Sequence, residues 1–285
     1  MPTVAETIRE STRIHLTSNN GLLFGQCLEA VGWVGGTVPD CEGIVELSMA
    51  DVSGAGIAVG AALVGRKPIY VIRYQGFMWY DAAPLLNYAA KSKEMWNVPC
   101  PIFIRSIASE GAGPVAGGSH HGMVMRMPGI KVFAPMTPNE WLEGWNYFLD
   151  HDEPVYCSEH RDSFKINYEL KDVIKSDSKI TLLPISAARL FTSFIPKADV
   201  IGITWLKPFK VTDVMKASLK KTGIGLIVDS DFEQSGKSIA HTLMLETGVP
   251  VHVLGLEDNT AGFSKETDNG TPSVKRILEK IKEII

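Results

Sequence analysis

The chain has 285 residues, of which 45% are hydrophobic and 21% charged, and its formal net charge is −4. That length suggests two domains of ordinary size, and the composition supplies an apolar core and excludes a largely disordered chain. The slight acidity, with no basic stripe, argues against nucleic acid as a partner, and no run approaches about 18 uninterrupted apolar residues, so no membrane span is expected. The start, MPTVAETIREST, is mixed and polar with no apolar signal core, so a cytoplasmic protein is expected. Cys27, Cys41, Cys100 and Cys157 are scattered, form no CxxC pair and read as free thiols.

Short β-branched runs alternate with helical stretches, the pattern of an α/β protein with mainly parallel sheets. TVAETIRESTRIHLTS reads as a helix capped by Thr3, and GLLFGQ as a short strand. In MADVSGAGIAVGAALVGRKPIY, the alanines and glycines from Gly54 to Gly65 suit a closely packed helix. KPIYVIRY follows as a strand, MWYDAAPLLNYAAKSKEMW has apolar residues at helical spacing, and PCPIFIRS and GIKVFAP are further strands. NEWLEGWNYFLDH is an amphipathic helix, and EPVYCSE closes a first unit near residue 160. Residues 164–180, FKINYELKDVIKSDSKI, are charged without a core pattern and read as a linker. A second α/β unit follows, with strand-like ITLLPIS, ADVIGITW, GIGLIVDS and VPVHVLGL. Its helices are expected at Val211–Thr222 and Ser235–Thr247, with a closing helix capped by Thr271 or Ser273. The expected division is a first domain over 1–165, a linker over 166–179 and a second domain over 180–285.

The densest cluster of unusual residues is SEGAGPVAGGSHHGMVMRMPG, Ser109 to Gly129. A glycine-rich loop between strands, carrying His120 and His121 at a strand's C-terminal edge, is where α/β proteins place ligands. Adjacent histidines point apart and no HxH or HxxxH partner is near, so a metal site is not expected there. The bland alternative is a surface loop with solvated histidines. No Walker loop and no GxSxG are present, and GAGIAVG (Gly54 to Gly60) does not match GxGxxG. Glu159, Asp229 and Asp231 lie at strand ends, where Glu159 reads either as a buried acid or, the commoner case for such a residue, as a solvated rim residue. Asp51 stands just before the small-residue helix, either as its N-cap or as a functional acid.

Several of these stretches occur together in a recognisable order: MADVSGAGIAVGAALVGRKPIY, GFMWYDAAPLLNYAAK, PCPIFIRS, the glycine-rich loop with His120, and MPGIKVFAPMTPNEW. Over roughly residues 1–165 the chain thereby resembles the beta subunit of the thiamine-diphosphate-dependent decarboxylase component of 2-oxo acid dehydrogenases, within the transketolase superfamily. ITWLKPF and DNGTPSVKRIL make the second unit similar to the transketolase C-terminal domain. The resemblance implies two three-layer α/β domains, a pyrimidine-binding domain followed by a transketolase C-terminal-like domain.

It also implies site roles. Thiamine diphosphate needs its aminopyrimidine nitrogen held by an acid, and that role maps to Asp51. The ring stacked on the pyrimidine maps to Phe77, with Tyr74 and Trp79 as alternative lining residues. The histidine that binds substrate and moves protons maps to His120, with His121 as its alternative. Two departures stand out. The family has glutamate where this chain has the shorter Asp51, and the segment between His121 and Pro128 is short, which implies a different substrate-side wall.

The superfamily's GDG…N motif for diphosphate and Mg²⁺ is absent here. The resemblance therefore implies an alpha-type partner chain holding both, and an α₂β₂ heterotetramer with beta–beta contact. The expected function is the beta-type subunit of an enzyme acting on a 2-oxo acid or a ketose-like substrate, by decarboxylation or acyl or ketol transfer. The alternative is a catalytically degenerate scaffolding or regulatory subunit, motivated by the shortened acid; a dinucleotide oxidoreductase rests on the α/β pattern alone.

Overall fold

The computed structural model describes residues 1–19, 21–29, 34–110, 117–258 and 270–285. Helix α1 (Val4–Ser18) opens on a capping box: Glu6 N donates to the Thr3 hydroxyl while the Glu6 carboxylate accepts from Thr3 N. Strands β1 (Leu22–Gly25) and β2 (Ile44–Glu46) follow. Helix α2 (Asp51–Leu63) starts three residues before the small-residue run. Its N-cap is Ala50, which has no capping side-chain bond, so Asp51 is the first helical residue and not the cap.

After β3 (Pro68–Ile72) the expected single helix is a broken one: a 3₁₀ turn over Gln75–Phe77, α3 (Met78–Ala82), a π-helical stretch Ala83–Ala89 and α4 (Ala90–Trp96). Pro84, which has no N–H to donate, sits at the start of the π-helical stretch, where the α register is lost. Then come β4 (Phe103–Ala108), α5 (His121–Met125), β5 (Lys131–Phe133), α6 (Pro138–Asp150) and β6 (Val155–His160). The second half comprises β7 (Ile180–Pro184), α7 (Arg189–Thr192), β8 (Ala198–Val200), β9 (Trp205–Lys207) and α8 (Asp213–Thr222). It ends with β10 (Gly225–Phe232), α9 (Glu233–Thr247), β11 (Val251–Leu256) and α10 (Val274–Ile284), the last capped by Ser273.

Among the described residues the strands form two sheets. The larger has the order β2-β1-β3-β4-β6-β5-β9, parallel except for β9; the smaller, β11-β10-β7-β8, is parallel throughout. The α/β class with mainly parallel sheets is therefore as expected. Both faces of the strands are covered, so side chains alternate between two cores instead of between core and water. In β3, Ile69 and Val71 join α1 and α6 with Trp141 and Phe148, while Tyr70 and Ile72 join α2 and the broken helix. In β10, Ile227 faces the larger core and Leu226 and Val228 face α10 through Ile277.

Two local expectations change. ADVIGITW does not make one strand: Ala198–Val200 pairs with β7, whereas Trp205–Lys207 crosses back and pairs antiparallel with β5. The charged stretch after residue 164 does carry core residues. Phe164 and Ile166 are buried beside α1, and their carbonyls accept from Ala5 N and Val4 N. Its polarity hides two apolar anchors because they are isolated among lysines and acids. No helix of the described residues is long and apolar enough to cross a membrane.

Candidate active site

Parallel strands bring their C-terminal ends to one side, and the turns leaving β1, β3 and β10 converge there. Gln26 follows β1, Asp51 opens α2, Arg73 and the 3₁₀ turn with Phe77 follow β3, and Asp81 lies on α3. These residues, with Tyr70, Val71 and Ile72, line one cavity hardly larger than a water molecule. Asp51 is half-buried, and its Oδ1 accepts from Gln26 Nε2 at 3.1 Å. Phe77 is also half-buried; Tyr74 packs edge-on against it at 5.9 Å without lining the cavity. The Arg73 guanidinium sits over both rings, at 6.0 Å from Tyr74 and 5.1 Å from Phe77, and donates to Cys27 Sγ at 3.0 Å. Asp51 and Phe77 thus meet in one place.

Asp81 was not among the sequence candidates. It is 1% exposed; its Oδ1 accepts from the Tyr70 hydroxyl at 2.8 Å, and its Oδ2 is buried without a hydrogen-bond partner. Burial pushes its carboxyl up to about 7, against the opposing Tyr70 hydrogen bond and aided by the charge of Asp51. The only trace in the sequence is an acid on a helix that is otherwise apolar on its inner face, which is too common a pattern to single out.

The histidine pair separates in role. The His120 imidazole meets the edge of the exposed Trp79 ring at 6.4 Å, and its Nε2 is buried without a partner. Burial, then the neighbouring His121, pushes His120 down to about 4, so it is a neutral base at physiological pH. Its backbone N–H donates to Gln75 Oε1 at 2.7 Å, while Gln75 Nε2 donates to Ser106 O and Ser158 Oγ. Gln75, a second residue that sequence reasoning missed, therefore ties the histidine loop to the turn that carries Phe77.

His121 is fully buried. Its Nδ1 lies 3.2 Å from Ser158 Oγ, and its Nε2 is 3.1 Å from Asp229 and 3.6 Å from Asp231. Burial opposes its charge, but the two carboxylates prevail and push the imidazole up to about 9. Burial raises Asp231 to about 6, against the pull of His121. The same joint is closed by Gly122 N donating to Asp231 at 2.6 Å and by Ser119 N donating to Ser230 O at 2.8 Å. Asp229 and Asp231, read from sequence as lone acids at a strand end, thus bind the first sheet's loop to the second sheet. Glu159 is corrected too. It is no rim residue but lies buried in a bidentate pair with Arg105 at 2.7 and 2.9 Å, with Trp141 Nε1 at 3.3 Å. Glycines 111 and 113 of the histidine loop, and most of LEDNTAG, lie outside the described residues. All four cysteines are free of disulfides.

Residues 42–166 match the family described as transketolase, pyrimidine binding domain. Over 98% of its length the chain is 23% identical to the pyruvate dehydrogenase E1 component subunit beta of Staphylococcus epidermidis, covering 97% of that protein. With the corresponding subunit of Bacillus subtilis it shares 24% identity over 99% of this chain and 98% of the other. The first half of the chain is thus similar to the transketolase pyrimidine-binding domain, and the whole chain is similar to these beta subunits. Among solved structures, a split-gene transketolase described as an inactive beta4 tetramer superposes with a TM-score of 0.65 at 16% identity, covering 90% of each chain. Transketolase from Campylobacter jejuni gives 0.70 at 17% identity, over 99% of this chain and 46% of that one. The fold expected from the sequence is borne out, and the matches to a transketolase pyrimidine-binding domain and to pyruvate dehydrogenase beta subunits agree with the resemblance read from the motifs.

Proposed function

We propose that this transketolase-superfamily chain supplies the pyrimidine side of a heteromeric active site, acting on a 2-oxo acid, with Asp51, Phe77 and His120 as its working residues. The full-length likeness to pyruvate dehydrogenase beta subunits favours a 2-oxo acid over a ketose-like substrate. An alpha-type chain would hold the diphosphate and Mg²⁺, in an α₂β₂ assembly in the cytoplasm.

The residues fit the cofactor's aminopyrimidine. Asp51 offers a carboxyl whose described protein partner is one amide, Phe77 offers a half-buried ring beside it, and the orphaned Asp81 oxygen lies in the same cavity. Bound thiamine diphosphate supplies an acidic C2–H and, from it, a nucleophile for carbonyl carbons. Asp51 holds the ring nitrogen by a hydrogen bond, and Gln26 fixes the orientation of that carboxyl. Phe77 packs on the ring face, excluding water and limiting tilt. His120, neutral and with an unpartnered Nε2, donates or accepts at the substrate carbonyl. His121, locked between two carboxylates, holds the loop and not the substrate. Tyr74 supports Phe77 from behind.

The observation that carries this reading is that Asp51 and Phe77, distant in sequence, line a single cavity. Its rival, a degenerate scaffold, is favoured by the missing methylene of Asp51. Co-purification with an alpha-type chain followed by calorimetric titration of thiamine diphosphate and Mg²⁺ separates them. The complex is expected to bind cofactor and to exchange its C2 proton, and Asp51→Ala to lose exchange by roughly a hundredfold or more while assembling normally. No binding by the wild-type complex would leave only the scaffold, and unchanged exchange in Asp51→Ala would show that another group is the acid.

A further inference from the structure

The shortened acid raises a question that the buried carboxyl behind it answers. Asp81 and Asp51 come from different helices, α3 and α2, yet line the same water-sized cavity. One oxygen of Asp81 is committed to the Tyr70 hydroxyl, and the other has no partner in the described structure although Asp81 is 1% exposed. A buried oxygen with no partner is costly unless it carries a proton it can donate or meets a water. The other polar side chains lining the cavity have contacts of their own. Gln26 donates to Asp51, Arg73 contacts Cys27 and the rings of Tyr74 and Phe77, and Tyr70 donates to Asp81.

Resting on the cofactor reading above, we infer that Asp81 is a positioning acid: it pairs with Asp51 across this cavity and stores the proton that Asp51 presents to the aminopyrimidine. One proton serves the pair. At rest it sits on Asp81 Oδ2, donated into the cavity toward Asp51. Transfer through a single water leaves Asp51 protonated toward the ring and Asp81 ionised, its Oδ1 still accepting from Tyr70. No other reactant is needed, and the charge of the pair is unchanged. Two carboxyls lining one water-sized cavity oppose each other's ionisation, so the pair keeps its proton near neutral pH. Burial holds Asp81 up to about 7, in agreement.

The test begins without cofactor. Infrared difference titration of the full-length chain is expected to show a carboxylic-acid carbonyl band, absent in Asp81→Asn, that disappears with a midpoint of about 7. Asp51→Asn removes the neighbouring charge and should bring that midpoint to a pH lower by roughly 0.5 or more. Tyr70→Phe removes the stabilising donor and should move it up. A midpoint that ignores Asp51→Asn, or no band assignable to Asp81 above about pH 5, overturns the pairing.

In the cofactor-loaded complex, Asp81→Asn should slow C2 proton exchange roughly ten- to a hundredfold and displace its pH profile, with cofactor affinity held within about twofold. Exchange equal to wild type overturns the proton-storing role. Failure of the wild-type complex to bind cofactor overturns the reading beneath it, while the pairing of the two acids still stands or falls on the infrared result.

Discussion

At Asp81 burial sets ionisation against folding. Its carboxyl is held up to about 7 in the folded chain against an ordinary value of 3.8, so the proton is bound more tightly folded than unfolded. Ionisation therefore costs stability. The penalty begins above the unfolded value near 4 and is complete once the pH has passed about 7. Asp81→Asn cannot ionise and escapes it. Thermal melts across this range should show the variant gaining on wild type as pH rises, by a few kcal/mol at most, since each tenfold difference in proton affinity is worth about 1.4 kcal/mol. A constant difference between pH 4 and 8 would mean that Asp81 ionises freely. At this scale the sequence showed which residue types could do chemistry, Asp51, Phe77 and the histidines among them. It did not show Asp81, Gln75 or Gln26, because an isolated acid or amide looks the same whether its fold neighbours are water or a tyrosine hydroxyl.

Among elements, the decisive contact is the junction of the His121–Met125 helix with the end of β10. The His121 imidazole lies between Asp229 and Asp231, all three buried, so truncating it leaves two carboxylates facing each other. His121→Gln should destabilise the chain by about 3–5 kcal/mol near pH 6, the usual cost of removing one partner from a buried ion pair. The pH dependence has a definite sign. With the imidazole raised to about 9, its contribution is fully present below the unfolded value of 6.5 and is lost as pH rises through 9. The stability gap between wild type and variant should therefore narrow from pH 6.5 to 9, which denaturant titrations at fixed pH values would measure. A gap independent of pH would show that the histidine is neutral in the fold. Element types were largely legible from the sequence: periodicity of apolar residues located α1, α6, α8 and most strands, though not β2, and of the expected caps Thr3 and Ser273 are the ones used. The sheet to which each strand belongs was not legible. Trp205–Lys207 pairs with β5 because the chain turns back after β8, a choice made by packing and not by propensity.

For the molecule as a whole, the outer face of α2 is the feature that asks for a partner. Val52, Ile57, Leu63 and Val64 are exposed there, and Trp79, Tyr88 and Trp96 are exposed on the broken helix. Gly56 and Gly60 have open space where a Cβ would stand, so no contact within the chain requires glycine at either position. A single exposed leucine is ordinary, but a run of aliphatic and aromatic side chains beside Asp51 fits the alpha-type partner proposed above. Ile57→Asp should leave the melting temperature of the isolated chain within a few degrees and weaken association with the alpha-type chain by roughly tenfold or more, as sedimentation would show. Unweakened association would place that contact elsewhere on the surface.

The sequence by itself determined the α/β class, the order of most elements and the resemblance to the transketolase pyrimidine-binding domain, because these follow from apolar periodicity and from motifs contiguous in the chain. It also placed Asp51 at the entry of the small-residue helix. Only the tertiary structure decided what surrounds that acid. It set Asp81 and Gln26 around the Asp51 cavity, buried Glu159 against Arg105, and divided the histidine pair into a clamp and a neutral base. The physical reason is the same in each case. Ionisation, burial and hydrogen bonding depend on atoms brought together from distant parts of the chain, and one-dimensional spacing carries no record of those distances.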